Sequence, residues 1–365
     1  MVEKKRVIIV QNSVKTVFLF RFDYIKRLCS DYEVIVIAPN DDNSSRDYLR
    51  GLGVFVYNIP YVRSFLGLLF SAFLMNILIV VERFKGGRFI CHFISTFIMC
   101  FFTLLPLNKK LIVYTEGLGS AFSKEGFFRK CARFLLMRKN ITRLFCNLSE
   151  RETLGYEFDV VTGGIGVDIS KFDISEVNTQ LDKNKTFIIS YVGRLIKDKG
   201  VLDAISVLRE LRSEGVEVKL ILAGDIYAKN PSSLSETDIT NLEIEFGNSI
   251  EFLGFVDNII DVYRYTDVLL LPSAREGFPV CVMEANAMGI PCVGYDVPGV
   301  SDAISIGENG LLANYRDKKQ LSGLVCSLLN RGTLDKYRSS CVVYAKNNFS
   351  NIDKSEFLLD IIKGL

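Results

Sequence analysis

Glu276 and Glu284 stand eight positions apart in the stretch REGFPVCVMEANAMGIPCVG, residues 275–294. Glu276 precedes a Gly277-Phe278-Pro279 turn, and Glu284 falls on the helix that the turn must start and that Gly289 and Pro291 stop. The run VLLL at 268–271, apolar on both faces, comes just before, so the turn is the loop at a strand's carboxyl end. Open parallel sheets bind their ligands there. Glu276 from the loop and Glu284 one turn into the helix would accept hydrogen bonds from separate sets of hydroxyls on a polyol such as sugar plus ribose. A hydrolytic acid and base is the other chemistry that paired carboxylates offer.

A second constellation is YVGRLIKDKG, residues 191–200. Gly193 lets the backbone turn after a strand, and Arg194 and Lys199 project from the loop before a helix expected from about Val201. Two cations near a helix N-terminus make a diphosphate site. Phosphate-holding cations and hydroxyl-accepting carboxylates together fit a nucleotide sugar.

These loops need two α/β sheets behind them. VIIV at 7–10, VIVIA at 34–38, 54–56 and LIVY at 111–114 are the buried runs of one parallel sheet; 187–192, 218–222, 250–252, 268–271 and 292–293 are those of another. The polar stretch 164–185 reads as a linker, and 345–365 as a helix that packs back across it. A length of 365 residues suits two cores. With 49% hydrophobic and 24% charged residues, disorder is excluded. Nine cysteines without a C-x-x-C pair, and a start that runs straight into a strand, point to a reducing cytoplasm.

Residues 1–170 carry 23 Lys/Arg against 15 Asp/Glu and the rest 21 against 27, so the first half is expected to meet something anionic, a phospholipid surface or a phosphate-bearing substrate. Nucleic acid is not expected, for lack of a binding motif. Residues 64–81 are as long and apolar as a membrane span, and 93–107 follow as a second apolar run. A spanning hairpin would pull the first sheet apart, so a buried or membrane-facing helix is expected. As a helix, 127–137 sets Phe127, Phe128, Cys131, Phe134 and Leu135 on one side and Arg129, Lys130 and Arg133 on the other, the pattern of an interfacial helix.

GRLIKDKG at 193–200, FLGFV at 252–256, LPSAREGFPVCVMEANAMGIPCV at 271–293 and GENGLL at 307–312 resemble the signature blocks of family 4 glycosyltransferases of GT-B fold. GGIGVDISKF at 163–172 and TEGLGSAF at 115–122 are similar to the family's domain-linking segment and an acceptor-domain loop, so the resemblance covers nearly the whole chain. It is nearest to bacterial enzymes of capsule, O-antigen and lipid-linked glycan assembly.

The resemblance implies two doubly wound Rossmann-like α/β domains facing each other across a cleft: 1–165 acceptor-binding and membrane-facing, 166–345 donor-binding, with 346–365 packing back toward the first. The implied reaction is a retaining transfer of a hexose or N-acetylhexosamine from a nucleoside diphosphate sugar, of UDP type, to a lipid-linked saccharide at the inner face of the cell membrane. Arg194, Lys199 and Glu276 would be catalytic. Gly193, Phe255, Val256, Gly277, Phe278, Pro279 and Glu284 would bind the donor, with Phe255-Val256 beside the base and Glu284 on the ribose. No D-x-D motif occurs in the chain, and the resemblance implies no cofactor and no metal, the two cations stabilising the leaving diphosphate instead.

On the acceptor side the implied contacts are Asn12 and Arg21 in the first loop, 11–21, His92, and Glu116-Gly117. The family's H-x-H-like stretch is FICHFIS here, with Ile94 in place of the second histidine, and His92 is the chain's only one. That departure admits a second class, a non-catalytic GT-B partner subunit of a membrane glycan-assembly enzyme. A nicotinamide-dependent dehydrogenase is disfavoured, since no G-x-G-x-x-G follows either first strand.

Overall fold

The computed structural model describes residues 4–62, 64–119, 122, 125–139, 141–172, 186–227 and 230–364, without the side chains of Asn108 and Lys109. The expected linker lies partly outside the described residues, at 173–185. The chain forms two units, Met1–Ile165 with Asn351–Leu365, and Gly166–Ser350.

In chain order the first unit contains β1 (Lys5–Val10), α1 (Val14–Asp31), β2 (Tyr32–Ile37), β3 (Pro39–Asn40), α2 (Asn43–Gly51), β4 (Phe55–Val56), β5 (Ile59–Pro60), α3 (Phe65–Lys85), β6 (Arg88–His92), α4 (Ile94–Met99), α5 (Phe101–Leu104), β7 (Leu111–Thr115), α6 (Phe127–Leu136), β8 (Ile141–Phe145), α7 (Leu148–Leu154) and β9 (Val160–Val161). The second contains β10 (Phe187–Val192), α8 (Val201–Ser213), β11 (Val218–Ala223), α9 (Glu236–Phe246), β12 (Ile250–Gly254), α10 (Ile260–Tyr263), β13 (Val268–Leu271), α11 (Val280–Ala287), β14 (Cys292–Tyr295), α12 (Val300–Ala303), β15 (Gly310–Ala313), α13 (Lys318–Leu328) and α14 (Arg331–Asn348); α15 (Asn351–Gly364) returns to the first.

Among the described residues the first sheet runs β4-β2-β1-β6-β7-β8-β9 and the second β12-β11-β10-β13-β14-β15, with every pairing parallel. Both orders step outward from a first strand and then reverse, which is double winding. Val7 to Val10 and Val268 to Leu270 have no exposed surface, as strands covered by helices on both faces must. The reversal falls between β1 and β6 in one unit and between β10 and β13 in the other.

The structure corrects the expectations for 11–21 and for the final helix, and adds detail at 93–107 and on α6. First, 11–21 is mostly helix: the Ser13 hydroxyl accepts from the Thr16 amide and starts α1 at Val14, so Arg21 stands on a helix. Second, 93–107 is too broken to span a membrane. Phe93 sits at a φ of 67°, Cys100 separates α4 from α5, and Pro106 lies in a 3-10 turn over Leu105–Lys110. Third, on α6 it is Ala132 and Leu136 that turn inward, leaving Phe127, Phe128 and Phe134 exposed. Fourth, the expected final helix is two, α14 ending at Asn348 and α15 beginning at Asn351, with Ser350 bridged to Val167 between them.

Helix α3 is long and apolar enough to cross a membrane by composition, with a mean hydropathy of 2.2 over its best window. Only the stripe Gly67, Ser71, Met75, Ile79 and Glu82 is buried. Phe65, Leu66, Phe73 and Phe84 are 61–81% exposed. The buried polar groups tie the helix to its own unit: the Ser71 hydroxyl donates to the Pro60 carbonyl at 2.7 Å, and the Tyr57 hydroxyl donates to Glu82 at 2.6 Å.

Candidate active site

In the second unit the loops after β10 and β13 meet at the strand-order reversal. Gly200 ends the first loop at a φ of 78°, where a Cβ would stand 2.0 Å from the Pro272 carbonyl oxygen. The Ala274 amide donates to the Asp198 carbonyl at 2.9 Å, and the Glu276 amide to that of Pro298 at 3.0 Å. Gly299, at a φ of 82°, passes so close that a Cβ would lie 2.2 Å from the Glu276 carbonyl oxygen. Three loops thus form one interlocked backbone whose contacts a side chain at either glycine would break.

On this backbone the Lys199 Nζ lies 2.5 Å from Glu276 Oε2, and the Ser273 hydroxyl donates to Glu276 Oε1 at 2.7 Å. Glu276 is therefore held at both oxygens while its side chain keeps 13% of its surface exposed. Helix α11 begins after Pro279, with no side chain capping its first amides, so its positive end faces the same loop.

Arg194 is exposed, its guanidinium 5.6 Å from the centre of the Tyr227 ring, and it holds no ion pair among the described residues. Its carbonyl accepts from the Tyr191 hydroxyl at 2.7 Å. Burial first, and then the charge of Glu276, pushes the Tyr191 phenol up, while Arg194 pulls it down, so Tyr191 lies within the field of both. Cys281 joins the rest: burial raises its thiol, with Glu276 and Glu284 adding to the rise and Lys199 opposing it. Glu276 is the charge common to Tyr191 and Cys281, with Arg194 acting on the first and Lys199 and Glu284 on the second. Gly193, at a φ of 154°, passes beside the Tyr191 ring.

Glu284 stands on the second turn of α11 and accepts from the Tyr263 hydroxyl at 3.1 Å. Burial raises its carboxyl to about 7, against the lowering effects of that hydrogen bond and of Lys171. Phe255 is 72% exposed, its amide donating to Asp225 at 2.8 Å, which leaves the ring free for a stacking partner. Val256 instead packs against the buried cluster of Ile221, Ala223 and Val262. Phe278 turns its ring onto Phe349, 5.9 Å between centres, and Pro279 is buried, so neither side chain faces outward as a binding group; Gly277 is half-buried.

In the first unit His92 ends β6, and Glu116 follows β7. Glu116 Oε2 accepts from both Arg21 Nη2 and His92 Nδ1, the latter at 3.1 Å. A carboxylate on Nδ1 fixes the proton there, so Nε2 accepts from the Tyr24 hydroxyl at 2.8 Å. Burial and then Arg21 depress the imidazole to about 4, Glu116 opposing, so it is neutral near pH 7. Arg21 also lies about 6 Å from the Phe93 and Tyr114 ring centres. Glu116 Oε1 is buried without a hydrogen-bond partner, as are the Thr96 and Thr115 hydroxyls. The Gly117 amide donates to Glu150 Oε1 at 2.6 Å, and burial raises the Glu150 carboxyl to about 8. Asn12 is exposed beyond β1.

Sequence reading missed Ser273, Tyr191, Tyr227 and Tyr263 in the second unit, and in the first Tyr24, Glu150 and Gln11, whose Oε1 accepts from Arg21 Nε at 3.4 Å. Ser273, three residues before Glu276, carried a local signal, since that spacing lets a hydroxyl reach a carboxylate across a turn. Tyr191 stands equally close to Arg194 in sequence, whereas Tyr263, Tyr24 and Glu150 act across 21, 68 and 33 residues.

Residues 173–348 match the family model described as "Glycosyl transferases group 1". The chain is 28% identical over 353 residues, 86% of each chain, to the N,N'-diacetylbacillosaminyl-diphospho-undecaprenol alpha-1,3-N-acetylgalactosaminyltransferase of Campylobacter jejuni. It is 30% identical over 175 residues to the capsular polysaccharide biosynthesis glycosyltransferase CapM of Staphylococcus aureus, 46% of this chain and 44% of that one, so it spans less than half of that relative. Among solved structures, HepE of Anabaena in complex with UDP superposes with a TM-score of 0.80 at 17% identity, covering 99% of this chain and 100% of that one.

Proposed function

We propose that the chain, which has the GT-B fold and matches the group 1 glycosyltransferase model over residues 173–348, is a glycosyltransferase that moves a hexose or N-acetylhexosamine from a UDP-type donor to a lipid-linked saccharide during surface glycan assembly, with retention and without a metal. The observation that carries this reading is the meeting of Lys199 with Glu276 at the strand-order reversal of the second sheet, with exposed Arg194 on the loop after β10 and half-buried Glu284 on α11.

In this reading Arg194 and Lys199 hold the diphosphate. As the bond from sugar to phosphate breaks, negative charge grows on the leaving group, and fixed cations stabilise that charge more than the ground state. Lys199 exchanges part of its contact with Glu276 for phosphate, freeing a Glu276 oxygen for sugar hydroxyls. Glu284 and Tyr263 take the ribose, and exposed Phe255 stacks on the base. Gly193 and the backbone around Gly277 and Pro279 line the sugar.

The first unit takes the acceptor. The unpartnered Glu116 Oε1 supports a role in accepting an acceptor hydroxyl proton, with Arg21 and neutral His92 orienting it and Gly117 and Asn12 at its margin. The C. jejuni relative is named for transfer to a diphospho-undecaprenol-linked sugar. That supports a lipid-linked acceptor, and with it a peripheral position at the cytoplasmic face of the cell membrane, the first unit's exposed apolar residues meeting the bilayer. Incubating the protein with a panel of UDP-sugars and a polyprenyl-diphosphate saccharide, with UDP release as the readout and NMR of the product's anomeric proton, tests the reading; no release with any donor would overturn it.

A further inference from the structure

The amino ends of the first sheet carry a feature with no part in the proposed reaction. β1 is entered through Lys4, Lys5 and Arg6, β6 begins at Arg88, Lys110 directly precedes β7, and Lys85 closes α3. These six cations line one cavity of about 400 Å³. His92 and Glu116 lie at the opposite, carboxyl ends of the same strands, so this cavity is separate from the candidate acceptor groups.

The cations divide into scaffold and free charge. Arg6 is held by Glu33, Glu82 and the Gly86 carbonyl; Lys85 by Glu82; Arg88 by the Tyr32 hydroxyl; and Lys4 by the Cys29 carbonyl. Lys5 and Lys110 hold no ion pair or side-chain hydrogen bond among the described residues. Two carboxylates against six cations leave four charges in excess. Gly86 adds open space, since a Cβ there would meet nothing within 4 Å.

What lies beside the cavity decides the ligand. Phe84, 81% exposed, precedes Lys85, and the outer face of α3 runs from there through Phe73 to Leu66 and Phe65. An apolar stripe that ends in a cluster of cations matches a bilayer with anionic headgroups. We propose that this cavity binds the headgroup phosphate of an anionic glycerophospholipid, through Lys5 and Lys110 with Arg88 and Lys85 around it, while the outer face of α3 enters the acyl region. The proposal rests on the reading of the first unit as membrane-facing, and adds the lipid charge and the residues that read it.

The experiment is co-sedimentation of the full chain with vesicles of phosphatidylcholine alone or with about one-third phosphatidylglycerol, for wild type and the Lys5→Glu/Lys110→Glu double variant, with thermal melting to establish folding. A third arm titrates glycerol phosphate and inorganic phosphate by calorimetry. Wild type is expected to bind the anionic vesicles, the folded double variant at least about tenfold more weakly, and neither free phosphate at millimolar concentration. Equal wild-type binding to neutral and anionic vesicles would overturn the anion pocket while leaving membrane contact standing, as would a folded double variant that binds like wild type. Absence of binding to any vesicle would overturn both readings, and tight binding of free phosphate would overturn the lipid as its source. If the double variant does not fold, Lys5→Gln/Lys110→Gln takes its place with the same expected direction.

Discussion

Lys199 reaches 77 residues along the chain to Glu276 and bonds it at 2.5 Å, with Ser273 on the other carboxylate oxygen. The two charges neutralise one another. Under the proposed function Lys199 would take phosphate and Glu276 sugar hydroxyls, so donor binding is expected to divide this pair.

Removing the free cation should affect the nucleotide first. Arg194→Lys keeps the charge but loses the planar contact with Tyr227 and the two-pronged fork that suits a diphosphate. UDP affinity measured by calorimetry is expected to fall about tenfold, with the melting temperature unchanged because Arg194 is exposed. An unchanged affinity would remove Arg194 from the site.

The signals that were legible were local ones. VLLL followed by EGFPV, and YV followed by GRLIKDKG, each carry a strand end, a turn and a helix start in a short stretch, so the loops bearing Glu276 and Lys199 could be anticipated. What was hidden depends on pairing over distance: Arg21 with Glu116 across 95 residues, Tyr24 with His92 across 68, and Glu284 with Tyr263 across 21. Helix α3 was legible as a helix, but its inner face was not. Its apolar residues go all round, so no hydrophobic period marks the inner face, and the buried stripe contains the polar Ser71 and Glu82.

The chain's only histidine makes its titration unambiguous by NMR. His92 is neutral in the fold down to about pH 4, below its ordinary 6.5. In that window the unfolded chain binds a proton that the folded one refuses, so His92 causes stability to be lost as pH falls from 6.5 towards 4. Imidazole shifts that titrate near 6.5 would contradict its burial between Tyr24 and Glu116.

Glu284 and Glu150 act in the opposite sense. Their folded carboxyls sit at about 7 and about 8, above the ordinary 4.5, so the unfolded chain releases protons first and stability falls as pH rises from about 4.5 through those values. Glu150→Gln keeps an acceptor for the Gly117 amide and removes the titration. Melting temperatures between pH 5 and 9 are expected to fall less steeply in this variant than in wild type.

The exposed face of α3 gives a prediction independent of charge. Phe65→Ser, Phe73→Ser and Phe84→Ser together remove side chains that cover no core, so melting should move little, while binding to anionic vesicles should fall at least about tenfold. A large loss of stability would mean that these side chains pack on something within the protein.

The measurement closest to the central claim is UDP release from the preferred donor by wild type, Glu276→Ala and Lys199→Ala, with a polyprenyl-diphosphate saccharide as acceptor and circular dichroism confirming the fold. Turnover in wild type that drops about 10²–10³-fold in each folded variant is the expected result. Wild-type rates in both variants would contradict the assignment of the reaction to this pair.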